Sequence, residues 1–272
     1  FGGFGEQGPT KMNLEQLFIS PSVAWKATSD HVFGAALNLA HQRFSIRGLT
    51  PFTQPGYSES SGNVHNQGTD TSNGVGVRLG WIGQIAPQWR LGATWASKIQ
   101  GRFDKYKGLF AEQGGFDIPA NYGVGVSWQP AQNWTLGLDY QVIELSDVKS
   151  VGNPLSKFTP TSPLGSSDGP GFGWKDVTVA KLGVSYDINE WTLRAGYSHA
   201  TQPIPTDQTF LNILAPGVVQ DHLSLGATWN LSRSGELSVA YTHAFRKTVN
   251  DSGSIPLAYG GGKANIDLAE DI

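Results

Sequence analysis

The stretch WTLGLDYQ, residues 134–141, decides the fold class because its apolar and polar residues alternate strictly. Trp134, Leu136, Leu138 and Tyr140 share one face, and the residues between them are small, polar or charged. The stretch WTLRAGYS, residues 191–198, repeats the pattern. A period of two is typical of a β-strand with two different faces, whereas a helix would show a period near 3.6.

Working outward from these stretches, the same alternation predicts ten strands. Their approximate bounds are 14–28, 31–48, 73–84, 88–103, 120–129, 133–147, 176–187, 190–200, 218–231 and 235–247. The connections alternate between short turns and long loops, and the long loops cover about 49–72, 104–119, 148–175, 201–217 and 248–264. Short turns at one rim and long loops at the other are typical of an outer-membrane barrel. We see no boundary between domains, so residues 1–272 are treated as one barrel domain.

The aromatic residues indicate which face meets lipid. Those that flank the short turns all lie on the apolar face: Trp25, Trp81, Trp89, Trp128, Trp134, Tyr186, Trp191 and Trp229. Indole and phenol rings favour the membrane interface. The opposite face carries six charged side chains: Lys26, Arg78, Arg90, Asp139, Lys181 and Arg194. A wet lumen accommodates these charges, whereas the core of a soluble β-protein, the alternative, would need a partner for each.

Composition excludes several other classes. The 272 residues include 35 Gly and no Cys, so disulfides and thiolate sites are absent. A net charge of −3 argues against nucleic-acid binding. No uncharged apolar run reaches the roughly 18 residues of a membrane helix. The six His do not cluster, so we expect no metal, no cofactor and no enzyme, although an outer-membrane lipase or protease stays a minor alternative.

Four longer runs carry a family resemblance. They are KYKGLFAEQGGFDIPANYGVGVSW (105–128), PANYGVGVSWQPAQNWTLGLDYQ (119–141), WKDVTVAKLGVSYDINEWTLRAGYSHATQPIP (174–205) and FLNILAPGVVQDHLSLGATWNLS (210–232). Together they resemble the FadL/OmpP1/TodX family of outer-membrane transporters. The resemblance implies an all-β, transmembrane antiparallel β-barrel of fourteen up-and-down strands with an N-terminal hatch in its lumen. It also implies passive transport of long-chain fatty acids or other hydrophobic compounds across the outer membrane of a Gram-negative bacterium.

Ten of those fourteen strands are predicted in this chain. In the family, the first strand of the barrel runs outward. The first strand predicted in this chain ends in a short periplasmic turn, so it runs inward and must have an even number in the family's strand order. Taking it as the fourth leaves the hatch, three N-terminal strands and the closing strand absent, and the chain is expected to be a fragment. Closure of ten strands into a smaller barrel is the alternative. The long loops are then extracellular, and the expected partners are outer-membrane lipid and a fatty acid or aromatic hydrocarbon. We expect a monomer.

Apolar residues on three of the loops suggest where such a cargo is first bound. Exposed apolar side chains on loops are costly unless they bind a ligand or pack together, and packing is the alternative. The resemblance implies that the first two of these loops form the initial hydrophobic groove. The candidate residues are Phe52, Leu109, Phe110, Phe116, Ile118, Phe210, Leu211 and Ile213.

A second candidate site lies in the lumen. Lys181 and Arg194 face inward on neighbouring strands, where a cation could pair with a cargo carboxylate. The competing interpretation pairs them with acidic residues such as Asp139 and Glu144, or with the hatch. For the chain as a whole, a general diffusion porin and an adhesin that binds through its loops remain alternative functions.

Overall fold

A computed structural model describes residues 9–232, 235–257 and 261–272. The described chain contains twelve strands: β1 (Lys11–Ile19), β2 (Ser22–Lys26), β3 (His31–Arg47), β4 (Asp70–Ala86), β5 (Trp89–Ala96), β6 (Asn121–Ala131), β7 (Trp134–Ile143), β8 (Val177–Ile188), β9 (Trp191–Ala200), β10 (Asp221–Ser232), β11 (Gly235–Val249) and β12 (Ile266–Asp271). Three four-residue helical segments lie in the loops: α1 (Ala111–Gly114), α2 (Lys149–Gly152) and α3 (Thr209–Asn212). Short 3₁₀ turns cover Thr50–Thr53, Ser61–Asn63, Asp104–Tyr106, Leu145–Asp147 and Leu155–Lys157.

All strands belong to one antiparallel up-and-down sheet, which confirms the predicted fold class. From β3 to β12 each strand pairs with the next in sequence, and β1 and β2 both pair with β3. Within the described residues no pairing joins β12 to β1 or β2. No helix in this part of the chain is long and apolar enough to cross a membrane.

The first predicted strand, 14–28, is interrupted. Ile19 pairs with Leu39 and Ser22 pairs with Ala36, so β1 and β2 keep one register along β3. The interruption falls at Pro21, which has no N–H to donate to the ladder. Its carbonyl still accepts the Leu37 N–H at 3.1 Å. The break is therefore a missing hydrogen bond, not a change of direction.

Two further differences concern strand ends. β5 stops at Ala96, well before the predicted limit of 103, since the residues that follow make only isolated bridges at Ile99 and Arg102. β12 was not predicted: it pairs with β11 in the place that the family resemblance gives to the closing strand. The long loops accordingly cover 48–69, 97–120, 144–176, 201–220 and 250–265. The predicted turn at residues 233–234 and residues 258–260 of the last loop lie outside the described residues.

The outward face carries the apolar alternation and the aromatic residues, as predicted. Near the short turns, Trp89 stacks on Trp128 and Trp191 stacks on Trp229, both pairs at 5.4 Å between ring centroids. Exposed Leu and Val side chains cover the strands above them. Apolar residues that are exposed in such numbers on one continuous face fit a lipid environment.

The buried residues lie beneath the long loops. One cluster, called here the loop core, combines the upper end of β3 with four loops: Phe44, Ile46, Leu49, Phe52, Val64, Phe103, Tyr106, Phe110, Leu164 and Phe210. A smaller cluster of Ile204, Val218, Val249 and Ile266 packs the 201–220 loop against β11 and β12. The sheet thus supports a folded cap of loops, which holds the candidate site.

Candidate functional site

An apolar cavity of about 30 Å³ lies inside the loop core. It is lined by one strand pair and four loops: Met12, Phe44, Ile46, Leu49, Phe52, Leu109, Phe110, Ser150, Leu164, Pro170, Gly171, Phe172, Leu211 and Leu214. We call this space the loop pocket. Its wall presents almost only carbon to the interior, so its chemistry suits an uncharged, apolar ligand.

Phe44 is the centre of the aromatic wall. Its ring lies 4.8 Å from Tyr106 at a nearly perpendicular angle, and 4.9 Å and 5.3 Å from Phe110 and Phe103. Edge-to-face contacts of this kind add to the stabilisation that burial provides. Phe44 and Ile46 point inward near the C-terminal end of β3. At this end the inward-facing residues of the strand change from small and polar to apolar.

Tyr106 fastens the loop core to the sheet. The Ile46 N–H donates to its hydroxyl at 3.2 Å, and the hydroxyl donates to the Gly68 carbonyl at 2.5 Å. The ladder between β3 and β4 ends at Phe44, so this hydroxyl takes the place of the next backbone partner. Burial raises the pKa of Tyr106 above its ordinary value, and nearby Asp70 acts in the same direction. The phenol therefore stays protonated and keeps both hydrogen bonds.

The structure brings most of the predicted loop residues together. Phe52, Leu109, Phe110 and Leu211 line the loop pocket. Phe210 is buried beside it, with its ring 6.3 Å from that of Phe52.

Like Phe210, three other predicted loop residues do not line the loop pocket. Phe116 packs behind Phe110 with ring centroids 4.8 Å apart. Ile118 forms a backbone bridge with Ile99 instead. Ile213 points away from the core and is 47% exposed.

The polar groups around the loop pocket are already paired. Ser150 donates to the carbonyl oxygens of Ala111 and Gly115. Below the pocket, Gln42 accepts from Gln16 at 2.8 Å and donates to the Phe116 carbonyl at 3.2 Å. A side chain at Gly101 would lie within 2.4 Å of both the Gln42 amide and that carbonyl. The Gln42 amide is therefore close-packed between β1 and the 97–120 loop.

The wall segment that carries Phe110 has an unusual backbone. Glu112 and Gln113 have φ near +57° and +56°, and Gly114 follows at +100°. Each non-glycine residue in this left-handed region costs about 1–3 kcal/mol. Contacts with the 144–176 loop offset that cost: Glu112 and Gln113 donate their N–H groups to the carbonyls of Ser166 and Gly165, both at 2.9 Å. Glu112 also pairs with Lys149 at 3.0 Å.

The two predicted lumen cations occupy different places. Lys181 lines a cavity of about 800 Å³ on the inner face, together with Arg78, Arg90 and Asp139. It lies opposite Asp139 in the register, yet its Nζ donates to Gln141 at 3.3 Å. Arg194 lines a separate space with Glu236 and donates to Thr228 at 2.7 Å. The structure therefore does not join Lys181 and Arg194 in one site.

Sequence reasoning missed the part of the loop pocket that the strands and the more distant loops provide. Met12, Phe44 and Ile46 belong to strands, and Leu164 and Phe172 belong to the 144–176 loop. A signal was present: the inward positions of β3 are small or polar from Gly34 to Gln42 and apolar at Phe44 and Ile46. Among the described residues no group of three His, Cys, Asp or Glu could hold a metal ion.

The sequence profile of a family described as outer membrane protein transport protein (OMPP1/FadL/TodX) matches residues 4–255. No curated protein matches the chain in sequence.

Solved structures with the same fold include a Pseudomonas aeruginosa FadL homologue, with a TM-score of 0.67 and 18% identity over 96% of this chain and 66% of that one. The Ralstonia pickettii toluene transporter TbuX matches with a TM-score of 0.61 and 17% identity. That match covers 96% of this chain and 67% of the TbuX chain. The Pseudomonas putida toluene transporter TodX has a TM-score of 0.61 and 18% identity, over 96% and 68%. The chain thus spans about two thirds of the length of these structures.

Proposed function

Because the chain belongs to the outer membrane protein transport family (OMPP1/FadL/TodX), we propose that it forms the wall and loop cap of a passive channel for hydrophobic compounds. The family consists of Gram-negative outer-membrane proteins, and the exposed apolar face of the sheet fits that location. The long loops face the cell exterior, and the loop pocket is where cargo is first bound.

The observation that carries the proposal is the composition of the loop pocket. A charged cargo group would lose its hydration there without gaining a partner, because no charged side chain lines the pocket. The part of the cargo that binds is therefore apolar and uncharged, such as an aromatic ring or a hydrocarbon tail. Two structurally similar proteins are described as toluene transporters, which agrees with a small aromatic cargo.

The cations of the lumen suggest how cargo is bound after it leaves the loop pocket. Lys181, Arg78 and Arg90 line one inner cavity with a single acidic partner, Asp139, in that lining. A carboxylate on an amphipathic cargo would be bound there and not in the loop pocket. Toluene lacks a carboxylate, so Lys181 matters only for acidic cargo such as a long-chain fatty acid.

A pair of matched variants tests the pocket assignment. In the full-length protein, Leu211→Trp places an indole in the loop pocket, whereas Ile213→Trp adds the same indole two residues away at an exposed position. We expect Leu211→Trp to lower uptake of radiolabelled toluene by at least fivefold and Ile213→Trp to leave it unchanged. Equal uptake by both variants and the parent protein would contradict the assignment.

A second variant separates neutral from acidic cargo. Lys181→Gln should lower uptake of a radiolabelled long-chain fatty acid and leave toluene uptake unchanged, because only the fatty acid carries the group that Lys181 pairs with. Loss of both activities would mean that Lys181 serves the barrel structure. In planar bilayers, the full-length channel should pass almost no ionic current, and a steady current would favour a diffusion porin instead.

A further inference from the structure

The loop pocket is closed to cargo in this structure. Its volume is about 30 Å³, whereas an engineered apolar cavity that binds benzene measures about 150 Å³. One aromatic ring therefore fits only after part of the wall moves. The moving part must be connected to the pocket and must have a second position that the chain can adopt.

The strand side of the wall is fixed. β3 carries Phe44 and Ile46, and it pairs with β1 from Leu39 to Arg47 and with β4 from His31 to Phe44. Moving either residue would break a continuous ladder. Phe52 lies in a loop, but the backbone around it, from Leu49 to Pro55, has no residue in the left-handed region.

The segment that carries Phe110 differs from these walls. It turns through three successive left-handed residues, Glu112, Gln113 and Gly114, an arrangement that L-residues leave readily once their contacts are lost. The ion pair from Glu112 to Lys149 joins it to the 144–176 loop, beside the two N–H bonds to Gly165 and Ser166. These contacts lie on the outer side of the pocket.

We propose that the ion pair between Glu112 and Lys149 is a clasp that holds Phe110 in the closed position, so that release of the clasp admits cargo to the loop pocket. The inference rests on the proposed function, because it presumes that the loop pocket binds cargo. Glu112 acts through Phe110 and is a positioning residue. It does not touch the cargo.

The exposure of the clasp fits a reversible device. The side chains of Lys149 and Glu112 are 42% and 44% exposed, so water and salt weaken their attraction. Breaking an exposed ion pair of this kind changes an opening equilibrium by about two- to fivefold. A deeply buried ion pair would keep the wall closed, whereas this exposed pair shifts the opening equilibrium by only a few fold.

The test measures how fast a neutral probe exchanges with the loop pocket. The full-length protein in lipid nanodiscs is mixed with 4-fluorotoluene, and ¹⁹F exchange spectroscopy follows the bound and free signals. Leu211→Trp identifies the pocket-bound signal by abolishing it. The clasp variant is Glu112→Gln, which keeps the size of the side chain, and the control is Glu59→Gln, an exposed carboxylate without an ion pair in the described chain.

The clasp predicts three results. Glu112→Gln exchanges the probe about two- to fivefold faster than the parent, and Glu59→Gln does not. Raising NaCl from 50 mM to 500 mM accelerates exchange in the parent but not in Glu112→Gln, because only the parent has the ion pair to screen. The charge-swapped double variant, Glu112→Lys with Lys149→Glu, returns the exchange rate toward that of the parent. A purely structural role for Glu112 would give no such rescue.

Two failures have different meanings. If no probe signal is sensitive to Leu211→Trp, the loop pocket does not bind cargo and the proposed function fails. If the pocket-bound signal is present but exchanges at one rate in the parent and Glu112→Gln, at both salt concentrations, the clasp is overturned and the proposed function stands.

Discussion

Removing one hydroxyl group from the loop core tests how the cap is fastened to the barrel. Tyr106→Phe keeps the ring that packs against Phe44 but deletes the acceptor of the Ile46 N–H. Ile46 is 3% exposed, so its N–H loses its partner without gaining water. A buried donor left unpaired costs about 1–3 kcal/mol. Loss of the hydrogen bond to the Gly68 carbonyl adds little to this cost, because Gly68 is exposed and water replaces the phenol there.

The assay is urea unfolding of the full-length protein in lipid vesicles, followed by tryptophan fluorescence. We expect Tyr106→Phe to lower the free energy of unfolding by about 1–3 kcal/mol. Tyr122→Phe is the matched control: that ring is 44% exposed on the lipid-facing side, so the change should stay within about 0.5 kcal/mol. Equal stability of the parent and Tyr106→Phe would refute the claim that this hydroxyl completes the β3 ladder.

The same residue predicts a dependence on alkaline pH. Burial raises the pKa of Tyr106 in the folded protein above its ordinary value of 10.0. The folded state thus favours the neutral phenol, and its contribution is complete below pH 10 and is lost as the pH rises through the folded-state pKa. The stability advantage of the parent over Tyr106→Phe should therefore be constant from pH 7 to 9 and shrink above pH 10. A constant advantage up to pH 11 would contradict this.

Three other predictions concern the backbone. Burial, the largest single influence on Asp251, raises its pKa, but hydrogen bonds from three backbone N–H groups together outweigh burial and hold the pKa below 3.8. The last loop should therefore keep its protease resistance at pH 5 and lose it as the pH falls below about 3.8. The Asp251→Ala variant should be cleaved readily even at pH 7. Pro21→Ala supplies the N–H that is missing opposite Leu37, so stability in urea should rise by about 0.5–1.5 kcal/mol, and a loss would mean that the break is required. Gly101→Ala should cost about 1–3 kcal/mol because its Cβ would meet two atoms at 2.4 Å, whereas Gly137→Ala, which faces open space, should cost under about 1 kcal/mol.

The strands were predictable because lipid on one side and lumen on the other impose a period of two along most of the wall. Apolar residues lie on both sides of Pro21, with Ile19 before it and Val23 and Trp25 after it at the spacing of a strand, so the sequence pattern concealed the break. β12 was missed because it is short and acidic. Two of its three carboxylates find partners that no local pattern reveals, Arg246 for Asp267 and His243 for Asp271.

The candidate site was predictable only in outline. Apolar residues in polar loops are conspicuous, so Phe52, Phe110 and Leu211 could be found from the sequence. Which of them converge depends on how the loops pack on one another, and this packing leaves Ile213 outside the loop pocket. Phe44 was missed because it belongs to a strand and not to a loop, although the change to apolar inward positions on β3 marks where the strand meets the loop cap.

The most direct test of the account locates a bound hydrophobic compound in the full-length protein. Crystals soaked in 4-bromotoluene would show the bromine by its anomalous scattering. The account predicts one dominant peak inside the loop pocket, between Phe44, Phe52 and Phe110, with the Phe110 segment displaced to make room. A dominant peak in the lumen beside Lys181, with the loop pocket still closed, would contradict it.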